Sequence, residues 1–393
     1  MLFWALMRHR ALTFLQTILI CLALLSLPAP TWGADVNTDK LTVEGAAAYV
    51  LDKETGETLY SKNADVPRAV ASTTKIMTAM LVLKRATMDE TITVSPYAAS
   101  TGGASIGLRA GEKRSVVELL HALMLASAND AAFGLAEHVA GSEPGFVDMM
   151  NERAAQLGAD QTRFTVPHGL ASGAEHYSTA RDLAVIARAA MEDPDFAALV
   201  ATRWWTWTTD EEPGRRDLRN SNSLLDRYPP AVGLKTGFTN ESGYCLVAGA
   251  DAAGRSVIAV VLGSPTRDGS FTDGEILLDW SLKKFDYRRL VVKGRRYAVV
   301  SLEGKRVPLV ADRSVSKLVY LGESGAPLIS GIDKGLTLPL VKGKIVGYLE
   351  VGAVTGKHER VGLIVGRSVR SGYAVRNAGD YFRRVVKMLL NLF

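Results

Sequence analysis

Strand-like sequence lies on both sides of a long helical section, and this order restricts the fold more than any other feature of the chain. Apolar runs at 46–51 and 58–60, separated by a turn sequence, predict a β-hairpin. Similar runs return at 231–236, 243–250 and 256–263. Strands at both ends of a helical insert are expected to pair within one sheet that helices cover, which is an α+β arrangement.

Apolar spacing and capping residues mark the helices of the middle section. Apolar residues at spacings of four and three after residue 75 predict a helix that begins at about Ala71. Ser115 and Glu118 form a capping-box pattern ahead of a second helix. The other predicted helices span 131–140, 146–157, 179–191 and 276–285.

The sequence after residue 285 consists of short β-rich runs separated by glycines. Examples are 290–292, 297–301 and 344–351. This pattern predicts a separate all-β sandwich domain at 286–375. It carries no catalytic constellation, so we expect it to act in spacing, orientation or partner contact.

The first 33 residues have the pattern of a secretion signal. Arg8 and Arg10 precede an apolar run at 14–27, two prolines follow, and Gly33 ends a plausible cleavage site. The alternative is an uncleaved membrane anchor, but a run of about 14 residues is short of the roughly 20 that cross a bilayer. We therefore expect an exported protein, periplasmic or at the outer face of the cytoplasmic membrane.

The predicted C-terminal helix spans 376–393, and its residues 381–393 separate polar from apolar side chains on a helical wheel. Arg383, Arg384, Lys387 and Asn391 fall within an arc of roughly 100°, opposite the apolar residues. Such a short basic amphipathic helix suits the surface of an anionic membrane and predicts peripheral anchoring. The alternative is a helix docked on the β domain.

Ser72 lies three residues ahead of Lys75 near the predicted start of a helix. Residues at this spacing share a face, so the hydroxyl and the amine can be neighbours. A serine nucleophile needs such a base, and a lysine among apolar residues and other cations loses its proton near neutral pH. The same pattern also occurs at Ser281 and Ser314, so the motif alone is weak evidence for acyl transfer.

Two further motifs follow in the order found in penicillin-recognising serine enzymes. Ser127-Ala128-Asn129 comes first, and Lys235-Thr236-Gly237 ends a strand-like run. With these motifs, nearly the whole chain resembles the D-alanyl-D-alanine carboxypeptidases, which are low-molecular-mass penicillin-binding proteins. The resemblance extends to segments 67–79, 164–170, 177–182 and 233–239.

The resemblance implies an architecture and a reaction. Residues 34–285 would form a β-lactamase-like, transpeptidase-like catalytic domain, followed by the β domain and the terminal helix. Ser72 would attack the carbonyl between the two terminal D-alanines of a peptidoglycan stem peptide. Lys75 would take its proton, Ser127 would relay a proton to the leaving amine, and water would hydrolyse the acyl-enzyme. No cofactor is implied, and β-lactams would be covalent inhibitors.

The resemblance also implies how the substrate is held. Asn129 would bind its backbone, and Lys235 and Thr236 would bind its terminal carboxylate. Gly237 would let the peptide approach the strand edge. The backbone N–H groups of Ser72 and Phe238 would form the oxyanion hole.

Other residue types point to few further functions. Cys245 is the only cysteine after the signal, so no internal disulfide is expected, and its apolar run favours core packing over nucleophilic chemistry. The net charge of +5 falls to +3 without Arg8 and Arg10, which is too mild to indicate nucleic acid. The histidines show no metal-ligand spacing.

His168 is expected to shape the floor of the cleft rather than act as a base. Asn220 and Asn222 are expected to form loop hydrogen bonds.

Three other functions remain open from the sequence. A class A β-lactamase needs a glutamate that activates water, and no Glu-x-x-Leu-Asn pattern occurs between Asn129 and Lys235. A DD-endopeptidase acting on cross-links uses the same motifs. A catalytically silent wall-binding protein would have no need of the intact serine and lysine pair.

Overall fold

Strands from both ends of the helical section join one antiparallel sheet. The computed structural model describes residues 41–171, 174–208, 215–321, 327–352, 358–371, 382–384 and 386–387. The order of strands in the main sheet is β2-β1-β9-β8-β7, with ranges given below. Tyr49 of β1 lies opposite Val260 of β9, so the non-local pairing and the α+β class predicted from the sequence are confirmed.

The described residues form the following elements. The strands are β1 Ala47–Asp52, β2 Thr58–Lys62, β3 Thr91–Thr93, β4 Lys113–Ser115, β5 Trp204–Thr208, β6 Arg215–Arg219, β7 Ala231–Thr239, β8 Gly243–Ala252, β9 Arg255–Ser264, β10 Phe285–Val291, β11 Arg296–Leu302, β12 Lys305–Ala311, β13 Val315–Tyr320, β14 Leu328–Ile332, β15 Ile345–Gly352 and β16 His358–Val365. The helices are α1 Lys75–Arg85, α2 Pro96–Ala99, α3 Val116–Leu125, α4 Asn129–Ala140, α5 Glu143–Gln156, α6 Ala180–Ala190, α7 Pro194–Ala201, α8 Leu224–Arg227 and α9 Arg267–Lys284.

Helix α1 runs through the middle of the main hydrophobic core. All of its residues from Lys75 to Val82 are buried. The helix was predicted to begin at Ala71, which is one turn too early, because residues Ala71–Thr74 wind as a 3₁₀ turn. Ala71 has a φ of +47°, a left-handed value that an α-helix does not accommodate.

Further elements differ from the sequence expectation. Helix α9 begins at Arg267 rather than at Ile276, capped by Thr266, whose Oγ1 accepts the Gly269 N–H at 3.0 Å. Glycines in its first half hide the helical pattern, and Gly274 is needed because a Cβ there would lie 2.6 Å from the Leu246 side chain. The hairpin β5–β6 was not predicted.

The strands after residue 284 form a second set of sheets. The five-stranded sheet has the order β11-β12-β16-β15-β14, and β10 pairs with β13. Both contribute to one hydrophobic cluster that includes Val291, Leu309 and Leu363 and that is distinct from the main core. The boundaries expected at residues 33, 285 and 375 stay predictions.

The predicted signal and most of the predicted terminal helix lie outside the described residues. Residues 382–384 and 386–387 are helical, and Phe382 is exposed. Within the described ranges, no helix combines the length and the apolar character needed to cross a membrane.

Candidate active site

The 3₁₀ turn and the start of α1 bring the Ser72 hydroxyl beside the Lys75 amine. Lys75 Nζ lies 2.8 Å from Ser72 Oγ. The turn is held by two neighbouring threonines, because Thr73 Oγ1 donates to Val70 O at 2.6 Å and Thr74 Oγ1 donates to Ala71 O at 2.8 Å. Ser72 is partly exposed, whereas Lys75 is fully buried, so the hydroxyl faces the open cleft and the amine lies behind it.

The two other contacts of the Lys75 amine determine which way its lone pair points. Nζ lies 2.7 Å from Asn129 Oδ1 and 2.8 Å from the His168 carbonyl oxygen. The side-chain amide of Asn129 is oriented by its other hydrogen bond, in which Nδ2 donates to Gly102 O at 2.8 Å. Both oxygens only accept hydrogen bonds, so a neutral amine gives them its two N–H groups. Its lone pair is then left for the hydroxyl proton of Ser72.

The surroundings of Lys75 favour this neutral amine. Burial is the largest cause that lowers its pKa well below the ordinary value, and the positive charge of Lys235 lowers it further. Asp130 opposes these effects but is engaged elsewhere: its Oδ2 accepts from Ser105 Oγ at 2.6 Å and from the Leu108 N–H at 3.0 Å. The lowered pKa suits the amine to act as the base that Ser72 needs.

Ser127 and Asn129 lie where α3 gives way to α4. The sequence interpretation placed both on a loop, but Asn129 is the first residue of α4. Ser127 has a φ of +62°, and it lines the cleft together with Ser72. The Asn129 N–H also donates to Ala104 O at 2.7 Å, so this residue positions both the amine of Lys75 and the neighbouring loop.

Strand β7 forms the opposite wall of the cleft and is the edge strand of the main sheet. A Cβ on Gly237 would lie 3.0 Å from Ser72 N, so a larger residue there would press against the 3₁₀ turn. Lys235 is buried and donates to Thr236 O at 3.0 Å. Burial lowers the pKa of Lys235 to about 7.

The cleft between these walls has a volume of about 270 Å³. Its lining joins hydroxyls, one guanidinium and an aromatic wall: Ser72, Ala104, Ser127, Ser221, Thr236, Gly237, Phe238, Tyr244, Cys245, Arg267, Ser270 and Phe271. The Phe238 and Tyr244 rings pack at 4.3 Å between centroids. No aspartate or glutamate is found among the described residues that line it.

Ser221 and Arg267 are among the cleft residues that sequence reasoning missed. Ser221 Oγ lies 2.7 Å from Thr236 Oγ1, and Arg267 Nη2 donates to Ser221 O at 3.2 Å. Neither belongs to a motif, and Arg267 reaches the site only because α9 begins there. Asn220 and Asn222 form the predicted loop hydrogen bonds, since Asn220 Oδ1 accepts the Asn222 N–H at 2.9 Å and so shapes the loop that carries Ser221.

His168 contributes its backbone rather than its imidazole. Its carbonyl oxygen accepts from Lys75, while Nδ1 accepts the Leu170 N–H at 2.9 Å. Burial is the main cause that lowers the pKa of this imidazole to about 3. The buried Cys245 has a raised pKa, chiefly through desolvation, which agrees with a packing residue.

Known proteins resemble this chain over most of its length. The family model described as D-alanyl-D-alanine carboxypeptidase, peptidase family S11, matches residues 34–266. The D-alanyl-D-alanine carboxypeptidase DacF of Bacillus subtilis is 32% identical over 85% of this chain and 89% of its own.

Solved structures agree with these sequence matches. The crystal structure of the carboxypeptidase DacD from Francisella tularensis has a TM-score of 0.70 and 26% identity, covering 84% of this chain and 94% of that one. The Streptomyces K15 DD-transpeptidase has a TM-score of 0.58 and 35% identity, covering 61% of this chain and 98% of that one.

Proposed function

The chain belongs to the D-alanyl-D-alanine carboxypeptidase family of serine peptidases, and we propose that Ser72 is the nucleophile of its carboxypeptidase reaction. The family acts on peptidoglycan stem peptides that end in D-Ala-D-Ala, and it binds β-lactams. Ser72 Oγ forms an ester with the penultimate D-alanine, the peptide C–N bond breaks, and the terminal D-alanine leaves as its amine. Water then hydrolyses the ester and regenerates the hydroxyl.

The contacts of the Lys75 amine are the observation that carries this assignment. Two acceptor-only oxygens lie within hydrogen-bond distance of Lys75 Nζ, and Ser72 Oγ lies 2.8 Å from it, so in the neutral amine both N–H groups are taken and the lone pair faces Ser72. Lys75 therefore takes the hydroxyl proton as the ester forms. The Ser127 hydroxyl, which lines the same cleft, passes a proton on to the departing amine.

Strand β7 and its neighbours hold the substrate. An extended peptide adds to the free edge of β7 beside Gly237, with its carbonyl oxygen at the N–H groups of Ser72 and Phe238. The terminal carboxylate meets Thr236 and Arg267, which line the cleft, and the buried ammonium of Lys235, next to Thr236 in β7, attracts it. The bound carboxylate stabilises the ammonium form of Lys235.

A β-lactam presents a carbonyl and a carboxylate to the same groups and acylates Ser72. Rapid release of that acyl group needs a carboxylate that activates water. The described residues that line the cleft include neither an aspartate nor a glutamate. Penicillin is therefore an inhibitor that stays attached, not a substrate that is quickly hydrolysed.

Labelling with a fluorescent penicillin, followed by peptide mapping, tests the assignment of the nucleophile. The label is expected on Ser72 alone, and Ser72→Ala is expected to abolish both labelling and D-alanine release from a pentapeptide. A label on any other residue, or fast turnover of penicillin, contradicts the proposal. Cleavage of cross-linked dimers in preference to release of free D-alanine would instead identify an endopeptidase.

Export and attachment to the membrane surface complete the proposal. Its support is the signal pattern of residues 1–33 and the basic, amphipathic character of residues 376–393. We propose that the mature chain begins at Ala34 and lies at the outer face of the cytoplasmic membrane. N-terminal sequencing of the exported protein tests the cleavage site, and a mature chain that still starts at Met1 would contradict it.

A further inference from the structure

The peptide unit between Ala71 and Ser72 has a fixed orientation that bears on the oxyanion hole. In a trans peptide the C=O and the N–H point in opposite directions. Whatever holds the Ala71 carbonyl therefore also aims the Ser72 N–H. That N–H is one of the two groups assigned above to the carbonyl oxygen of the substrate.

The Ala71 carbonyl is held from two sides. Thr74 Oγ1 donates to it at 2.8 Å. Gly169 packs against it so closely that a Cβ there would lie 1.9 Å from Ala71 O and 2.7 Å from Thr74 Oγ1. The peptide unit cannot rotate toward Gly169, and it loses this side-chain hydrogen bond if Thr74 turns away.

His176 determines where the Thr74 hydroxyl points. The imidazole Nδ1 accepts the Thr165 N–H at 3.0 Å, and Nε2 lies 2.8 Å from Thr74 Oγ1. A backbone amide can only donate, so the ring proton of the neutral imidazole is on Nε2, which donates to Thr74. The Thr74 hydroxyl then has its own proton free for Ala71 O.

We infer that His176 is a positioning residue that, through Thr74, aims the Ser72 N–H at the oxyanion. The ring is buried and does not line the cleft. It forms a hydrogen-bonded chain from the Thr165 backbone to the Ala71–Ser72 peptide. The inference rests on the proposed nucleophile, because only a reacting Ser72 needs an N–H so oriented.

Two pairs of variants separate the loss of the hydrogen-bond donor at Thr74 and at His176 from the change in side-chain size. Thr74→Val removes the hydroxyl at nearly constant shape, whereas Thr74→Ser keeps it. His176→Asn keeps an acceptor at the Nδ1 position and loses the donor to Thr74, whereas His176→Gln keeps the donor and loses the acceptor. Both histidine variants lose the buried imidazole ring, so the cost of losing the ring to folding is shared by the two.

The measurement separates the noncovalent affinity for a fluorescent penicillin from the rate constant of acylation. Misplacing a catalytic group by about 1 Å costs up to roughly 100-fold in rate. We therefore expect Thr74→Val and His176→Asn to slow acylation by about 10- to 100-fold at nearly unchanged affinity. Thr74→Ser and His176→Gln should stay within about threefold of the parent. Deacylation should slow in the same variants, because the same N–H stabilises both tetrahedral transition states.

The double variant Thr74→Val with His176→Asn should be no slower than Thr74→Val, because His176 acts through Thr74. His121→Asn is the matched control, since His121 is also buried but bonds to Val117 O and lies outside the cleft.

Acylation by Thr74→Val at the parent rate overturns the inference, whatever the histidine variants do. Equal losses in His176→Asn and His176→Gln also overturn it. Failure of the proposed nucleophile looks different, because it moves the penicillin label away from Ser72 in the parent protein.

Discussion

At the scale of single residues, the proposed reaction depends on a neutral Lys75. Lys75→Arg keeps a basic side chain of similar length but introduces a guanidinium, which is not deprotonated in proteins. We expect acylation of Ser72 to slow by about 10²- to 10⁴-fold, the usual contribution of a general base. Stopped-flow measurement with a fluorescent penicillin gives the rate. Lys84→Arg, an exposed position on the same helix, is the control and should change nothing. A loss below tenfold in Lys75→Arg would assign the base to another group.

Lys235 predicts an alkaline limit of activity. Its pKa of about 7 means that the free enzyme loses the ammonium charge as the pH rises through neutrality. We propose that the charged form attracts the terminal carboxylate. The ratio kcat/KM for a pentapeptide should therefore fall above about pH 7, because this ratio reports the free enzyme. Lys235→Arg stays charged, so its profile should lack this alkaline limb. An unchanged limb in Lys235→Arg would assign it to a different group.

The single residues that could be predicted are those with a fixed spacing or a motif. The distance from Ser72 to Lys75 follows from helical periodicity, even though the first turn proved to be 3₁₀. The carbonyl of His168 and the guanidinium of Arg267 could not be predicted, because their positions depend on tertiary packing of distant segments. Any residue carries a backbone carbonyl, so the identity of the side chain does not show which carbonyl will accept the hydrogen bond.

At the scale of elements, the junction between β9, α9 and β10 depends on one buried arginine. Arg255 Nη1 donates to the carbonyl oxygens of Ser281, Leu282 and Phe285 at 2.9, 3.2 and 2.7 Å. These carbonyls belong to the C-terminal end of α9 and its exit, where a cation is favoured. Arg255 also approaches Asp52, which accepts from Tyr287 Oη at 2.6 Å.

Removing this side chain should destabilise the fold. Arg255→Met leaves the Asp52 carboxylate buried without its cation, a change that costs about 3–5 kcal/mol. The free energy of unfolding in urea measures it. Lys283→Met breaks an exposed pair with Asp279 on the same helix and should cost less than about 1 kcal/mol. Equal losses in the two variants would show that Arg255 has no special role.

Helices and strands could be predicted where the local sequence, through residue propensity and capping residues, favours the same structure as the fold. The capping box of Ser115 and Glu118 does begin α3, and the returning strands do form the main sheet. The start of α9 was missed because glycines and polar residues interrupt its pattern. The hairpin β5–β6 was missed although Trp204, Trp205 and Trp207 are typical of a strand. Aromatic enrichment was the signal that could have identified it.

At the scale of the whole molecule, the sheet topology brings distant motifs to one cleft. Ser72 and Ser127 belong to the helical section, whereas Lys235 belongs to the strands that follow it. Pairing β1 with β9 places β7 at the edge of the sheet, against the 3₁₀ turn. The order of the motifs could be read from the sequence, but their proximity in space depends on the tertiary fold.

The proposed membrane attachment is tested on the complete mature chain. We expect it to sediment with vesicles that contain anionic lipid and to be released by high salt, whereas a chain that ends at residue 375 should stay in solution. Reversing Arg383 and Arg384 to glutamate should weaken binding at least about tenfold, since each cation near the surface contributes roughly 1 kcal/mol. Reversing the exposed Lys293 and Arg295 is the control and should have little effect. Penicillin labelling of each variant verifies that the catalytic part is folded, and equal sedimentation of the shortened chain would show that the attachment lies elsewhere.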